Sequence, residues 1–173
     1  MAGSLIKLQE VVASSSASIT LGDSSWDTSY NVYMVKVDNF NTSADNVSLS
    51  VRFLVSGSPD TSSNYDYAQK VLRSKEVFGN EGQVNQDKIN FGSIGNATGE
   101  AYNGIFYLFN FNNSSEYSFG TKENVYMNSA GDTKGENGGF VLTETQANDG
   151  IQFTVDSGNF ESGRFVLYGL KKE

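Results

Sequence analysis

Cysteine and histidine are both absent from this chain of 173 residues. Without cysteine there is no disulfide framework, no thiol nucleophile and no cysteine-based zinc site. Without histidine the commonest general base at neutral pH is missing, along with the Ser-His dyad and the usual nitrogen ligand of transition metals. Proline and tryptophan occur once each, and no apolar run approaches the ~18 residues of a membrane-spanning helix. Cationic charge is scarce too: 12 Lys and Arg stand against 20 Asp and Glu, for a net charge of −8. That balance lacks the footprint that grips phosphate, so nucleic acid is not an expected partner, and no membrane segment is expected either. The opening MAGSLIKLQEVV has neither the basic nor the apolar region of a secretory leader, so synthesis in a reducing cytoplasm is expected.

What the chain does have is alternation. In 47–55, VSLSVRFLV, residues Val47, Leu49, Val51, Phe53 and Val55 point one way and Ser48, Ser50 and Arg52 the other. This is a strand with one wet face. The run 30–38, YNVYMVKVD, is β-branched and aromatic, and the intervening DNFNTSADN predicts a turn that pairs the two strands as a hairpin. Further strands are expected at 5–12, 18–21, 89–92, 104–111, 124–128, 139–144, 151–156 and 163–170. Segment 65–78 reads as a strand followed by an irregular stretch, with a short helix as the alternative. About eight to ten short strands between Gly-, Ser- and Asn-rich loops predict an all-β fold. The architecture expected is an antiparallel, jelly-roll-like β-sandwich. A flexible N-terminal arm over 1–4 and a single domain over 5–173 complete the expected organisation.

Candidate chemistry is sparse. Glu10, Glu76, Glu81, Glu100, Glu116, Glu123, Glu136 and Glu144 are scattered, and read as solvated charges rather than a catalytic pair. The loops DSSWD, DNFNTSAD and DTKGEN carry oxygen ligands without the calcium-loop pattern, so neither metal nor cofactor is expected. GSIGNATG at 92–99 lacks the ending of a phosphate loop. In 104–111, Ile105, Tyr107, Phe109 and Phe111 share one face and Phe106 and Leu108 the other. A strand apolar on both faces is covered on both sides or packs against a neighbouring subunit, and full cover is the expectation. That makes the aromatic run scaffold and leaves a recognition tip at Asn112, Asn113, Glu116 and Tyr117. The lone Trp26 is a further candidate there, or else a cap over the core edge.

The ordered set LIKLQE, YNVYMVKVDNF, LSVRFLVSG, NYDYA, YLFNFNNSSEYSF and DGIQF…GRFVLYGLKK resembles small virion structural proteins of tailed bacteriophages, over Leu5 to Lys172. The resemblance implies a β-sandwich on the phage particle. It carries no catalytic signature, so no active-site residue transfers. The expected function is a non-enzymatic capsid decoration (cement) protein bound to the major capsid shell, located in the virion. The alternative is the head domain of a tail fibre or spike that binds a host glycan, beside a tail protein of the same phage. A homotrimer is the expected assembly, with partner contacts through the N-terminal arm at Ala2, Gly3, Ser4, Leu5, Ile6 and Lys7 and through one set of long loops.

Overall fold

The computed structural model describes residues 4–171, so Ala2 and Gly3 of the expected arm lie outside the described residues. The strands in chain order are β1 (Leu5–Val12), β2 (Ser18–Gly22), β3 (Val32–Thr42), β4 (Val47–Val55) and β5 (Ser58–Pro59). Then come β6 (Tyr65–Arg73), β7 (Gly79–Gln86), β8 (Ile89–Ile94) and β9 (Tyr102–Phe109). The last are β10 (Ser118–Met127), β11 (Thr133–Leu142), β12 (Gly150–Val155) and β13 (Phe160–Leu170). The only helical element among the described residues is one short 3-10 turn, Asp23–Ser25.

All pairings are antiparallel, and they form two sheets. The larger runs β1-β13-β3-β9-β10-β11-β6-β7; the smaller runs β2-β12-β4, with β5 and β8 sharing the far edge of β4. Set aside β5–β7 and β10–β11, and eight strands remain as β1-β13-β3-β9 over β2-β12-β4-β8. The chain alternates between those two layers at every step except β4 to β8, which stay together in the small sheet, and that is the jelly roll. Of the strands set aside, β5 edges the small sheet and the others extend the large one beyond β9 as β10-β11-β6-β7.

The alternating apolar residues of both layers meet in one core. Tyr33, Val35 and Val37 from β3 and Phe106 and Leu108 from β9 face Leu49, Val51 and Phe53 from β4 and Phe153 from β12. Aromatic contacts bridge the layers: Phe106–Phe153 at 5.5 Å, Phe153–Phe165 at 5.2 Å and Phe53–Phe111 at 4.5 Å between centroids. Each such ring is worth roughly 1.5–3 kcal/mol of burial.

Three expectations are corrected. First, β3 and β4 are not a hairpin: β3 pairs with β13 and β9, and β4 with β12, β5 and β8. Both strands carry an apolar face, and residues 43–46 cross between layers so that the faces oppose each other. Second, the outer face of β4 is only partly wet. Ser50 is buried and donates to Asn90 Oδ1 at 2.8 Å, and Arg52 ion-pairs with Asp87. Third, β9 is covered on one face only. Phe106 and Leu108 are sealed in the core while Ile105 and Tyr107 are exposed on the other side. Phe111 is buried, but beyond the strand, after Asn110 turns the chain at φ 62.

Segment 65–78 is a strand followed by an irregular stretch, and no helix forms there. β7, GNEGQVNQ, has no apolar alternation to announce it and exists because β6 offers it an edge.

Candidate functional site

Part of the sheet extension, β10 and the first half of β11, is built with its pattern inverted. Along β10 the inward positions are Ser118, Gly120, Lys122, Asn124 and Tyr126, all buried, while the outward positions include Phe119 and Val125, both exposed. On β11 the inward side chains begin with Lys134 and Glu136, again buried. An ordinary sandwich sheet keeps polar residues outside and apolar ones in.

Glu136 is the centre of the inner cluster, which corrects its reading as a solvated charge. It is 2% exposed. Its Oε1 accepts the Gly92 N–H at 3.0 Å and the Tyr126 hydroxyl at 3.2 Å. Its Oε2 accepts Asn124 Nδ2 at 3.1 Å and ion-pairs with Lys122, whose ammonium lies 3.7 Å from the centroid of the Phe91 ring. The Asn124 amide completes the arrangement by accepting the Glu136 N–H at 3.0 Å. Burial lowers the Lys122 pKa, and the Glu136 charge opposes that shift. Burial raises the Tyr126 hydroxyl, reinforced by Glu136. The neighbouring Tyr102 hydroxyl is fully buried without a hydrogen-bond partner and is raised well above its ordinary value, mainly by burial.

Gly92 makes this approach possible. At φ +56 a side chain is strained, and a Cβ there would stand 2.9 Å from the Tyr126 ring. In GSIGNATG, Gly92 and Gly95 thus serve close packing against the extension, while Gly99 is surrounded by open space. Outward from Glu136 the charges continue in alternation. Lys134 and Arg73 hold Glu76 at 3.2 and 3.3 Å, and Arg73 holds Glu81 at 3.3 Å. A polar depression of about 230 Å³ lies above them, lined in part by Ser93, Tyr126 and Asn128. With two donors on each oxygen, all acceptor positions of Glu136 are engaged within the chain. The arrangement clamps β8 onto the extension.

The expected recognition tip divides in two. Asn112 and Trp26 come together, but their polar atoms face each other: the indole N–H donates to Asn112 Oδ1 at 2.8 Å. Asn112 Nδ2 in turn donates to Tyr30 O and the Tyr33 hydroxyl, both at 2.7 Å, and reaches Thr28 O at 3.2 Å. Trp26 stacks on Tyr33 with centroids 3.8 Å apart, and burial pushes the Tyr33 hydroxyl up to about 12. These residues latch the loop before β3 onto the turn after β9, with Trp26 capping the core edge. Asn113, Glu116 and Tyr117 are exposed on that turn. Asn113 Oδ1 caps the Ser115 N–H at 2.9 Å, and Glu116 accepts Asn110 Nδ2 at 3.1 Å.

Of the expected arm contacts, Ser4 accepts the Lys171 N–H at 3.1 Å. Leu5, Ile6 and Lys7 belong to edge strand β1, in register with Leu170, Gly169 and Tyr168, and their side chains are exposed. Among the described residues no group of three or more acidic, His or Cys side chains is placed to hold a metal ion.

The inner cluster was missed because DTKGEN reads as a loop. Its signal is the pairing of two alternations, Lys122-x-Asn124-x-Tyr126 beside Lys134-x-Glu136. That pairing becomes legible only once Asn124 is known to stand opposite Glu136. Comparisons with protein-family models, with curated proteins and with solved structures find no match. The fold and site define a jelly-roll sandwich whose large sheet is extended by an internally paired, polar-cored flap.

Proposed function

We propose that the chain is a non-enzymatic virion structural protein of a tailed bacteriophage, a capsid decoration protein that binds the major capsid shell in many copies. The observation that carries this reading is edge strand β1. It lies at the rim of the large sheet with Leu5, Ile6 and Val12 exposed, an apolar edge of the kind that adds onto another protein's sheet. The commitment of Glu136 to internal donors supports the non-enzymatic part. The resemblance in the sequence supports the phage setting. Binding would act by burying surface across shell subunits, with many weak contacts combining.

Peptide counting by mass spectrometry on purified particles tests this. Tens to hundreds of copies per particle are expected on geometric grounds, since decoration follows the symmetry of the shell. A few copies, or none, would overturn it. A second reading, a tail-appendage head binding a host glycan, draws on Tyr117 exposed beside Asn113 and Glu116. Glycan-array binding lost on Tyr117→Ala would favour it.

A further inference from the structure

The outer face of the extension is as unusual as its inner one. Ile105, Tyr107, Phe119 and Val125 are 37–48% exposed there, on two neighbouring strands. Beside them β11 contributes Gly135 and Gly139, so a ridge of large side chains borders a furrow floored by glycine. Part of that furrow, bounded by Phe119 and Val84, is an apolar depression of about 490 Å³.

We infer that this face is the contact with a second copy of the chain, packed sheet on sheet about a two-fold axis running along β11. Three observations identify the occupant. The first is symmetry of position: β9-β10-β11-β6-β7 place two strands on each side of β11. Rotation about β11 then sets β10 over the partner's β6 and β9 over the partner's β7. Strand β11 then lies over its own copy and every other facing pair occurs twice, which is the self-complementarity a two-fold interface requires.

The second is charge. Glu123, Asn137 and Lys70 stand in one cross-strand row, with Asn137 on β11 at the centre. Glu123 and Lys70 take part in no ion pair among the described residues. The rotation brings each Glu123 over Lys70 of the second copy, twice per dimer. The same operation sets Val125 over Leu72 and Tyr107 over Gly82, following their rows. Because the charged row is the central one, the angle of about 30° between packed sheets displaces it least.

The third is area. Five strands spaced ~4.8 Å apart and about eight residues long cover roughly 650 Å² per copy, or ~1,300 Å² in total. That clears the ~1,000 Å² expected of a biological interface. Of the three charged residues on this face, Asp66 accepts the Asn85 N–H at 2.8 Å and comes under the partner's Phe119, while Glu123 and Lys70 are placed for each other, which suits a second copy better than an unrelated surface. A three-fold ring would need two different surfaces on each copy, whereas the Glu123 and Lys70 placed for each other share one face. The inference does not depend on the virion reading.

Sedimentation equilibrium of the full chain tests it. The wild type is expected at twice 18.8 kDa. Glu123→Lys and Lys70→Glu are each expected to raise the dimer Kd about 10-fold or more, and the double reversal to restore it. Gly139→Gln is a further control: a Cβ there meets only a backbone oxygen at 3.6 Å within the chain, so the fold survives while the two sheets are held apart. Circular dichroism would verify folding of every variant. A wild type that stays monomeric at high micromolar concentration, or forms a trimer, overturns the inference. So does a dimer indifferent to Gly139→Gln, or a double reversal that fails to restore association.

Discussion

Lys122 and Glu136 face each other diagonally across β10 and β11, both side chains almost wholly withdrawn from solvent. An ion pair in that position is expensive to desolvate, and it persists because Asn124, Tyr126 and the Gly92 amide satisfy the remaining lone pairs. Truncating one partner strands the other. Glu136→Leu or Lys122→Met alone is expected to lose about 3–5 kcal/mol in urea unfolding, and the pair together less than the sum. Additive losses would mean that the two charges do not stabilise each other.

Asn112 carries the second prediction. Asn112→Ala leaves the Trp26 indole N–H and Tyr30 carbonyl without their partner. A cost of about 2–3 kcal/mol follows from the stranded groups. Tryptophan emission should shift to the red, because Trp26 is the only indole and its loop is released. An unchanged spectrum would show that stacking on Tyr33 holds the loop by itself.

Gly92→Ala should destabilise by about 1–3 kcal/mol, from left-handed backbone and the clash with the Tyr126 ring together. Pairing it with Tyr126→Phe, which keeps the ring, should rescue little. Pairing it with Tyr126→Ala should remove the steric part, and thermal unfolding of the two double variants beside the wild type and the three single variants separates the contributions.

Stability at alkaline pH follows from the tyrosines. Burial raises Tyr33 to about 12 and raises Tyr65, Tyr102 and Tyr126 further, against 10.0 for an exposed phenol. Above pH 10 the unfolded chain loses these protons while the folded one keeps them, so folding stability falls as pH rises through that window. Lys122 acts in the opposite sense, since its folded pKa is lowered: its burial is penalised while it is charged, and the penalty fades as pH approaches 10.5. Four phenols outweigh one ammonium. Urea midpoints should therefore decline above pH 10 together with the rise of tyrosinate absorbance on unfolding. A flat profile across that window would contradict the burial of these hydroxyls.

The jelly-roll layers were legible because their strands announce themselves: Val47 to Val55 alternates cleanly, and Phe165 to Tyr168 is a continuous apolar and aromatic run. Pairing partners were not, since a turn of Asn, Asp and Ser between β3 and β4 serves a crossing between sheets as readily as a hairpin. The faces of β9 were also undetermined by pattern alone. Ile105 and Tyr107 match Phe106 and Leu108 in hydrophobicity, and only the position of β4 and β12 decides which pair is sealed. The inner cluster was hidden more deeply. Lys122 and Glu136 are 14 positions apart, and local composition around each one says loop or surface. The latch was half legible: Trp26 as a cap could be anticipated, but not that Asn112 would bind it.

The pairing of β1 with β13 has a practical side. The backbone at Ser4 and Lys171 is joined by a hydrogen bond, so the chain enters and leaves the fold at one corner. That corner belongs to the rim opposite β7, five strand spacings, or ~24 Å, from β11. A label or tethered cargo attached at either end would emerge beside the other and away from the glycine furrow. The two ends could also be joined by a short linker and the chain reopened in an exposed loop, such as the turn at Asn113.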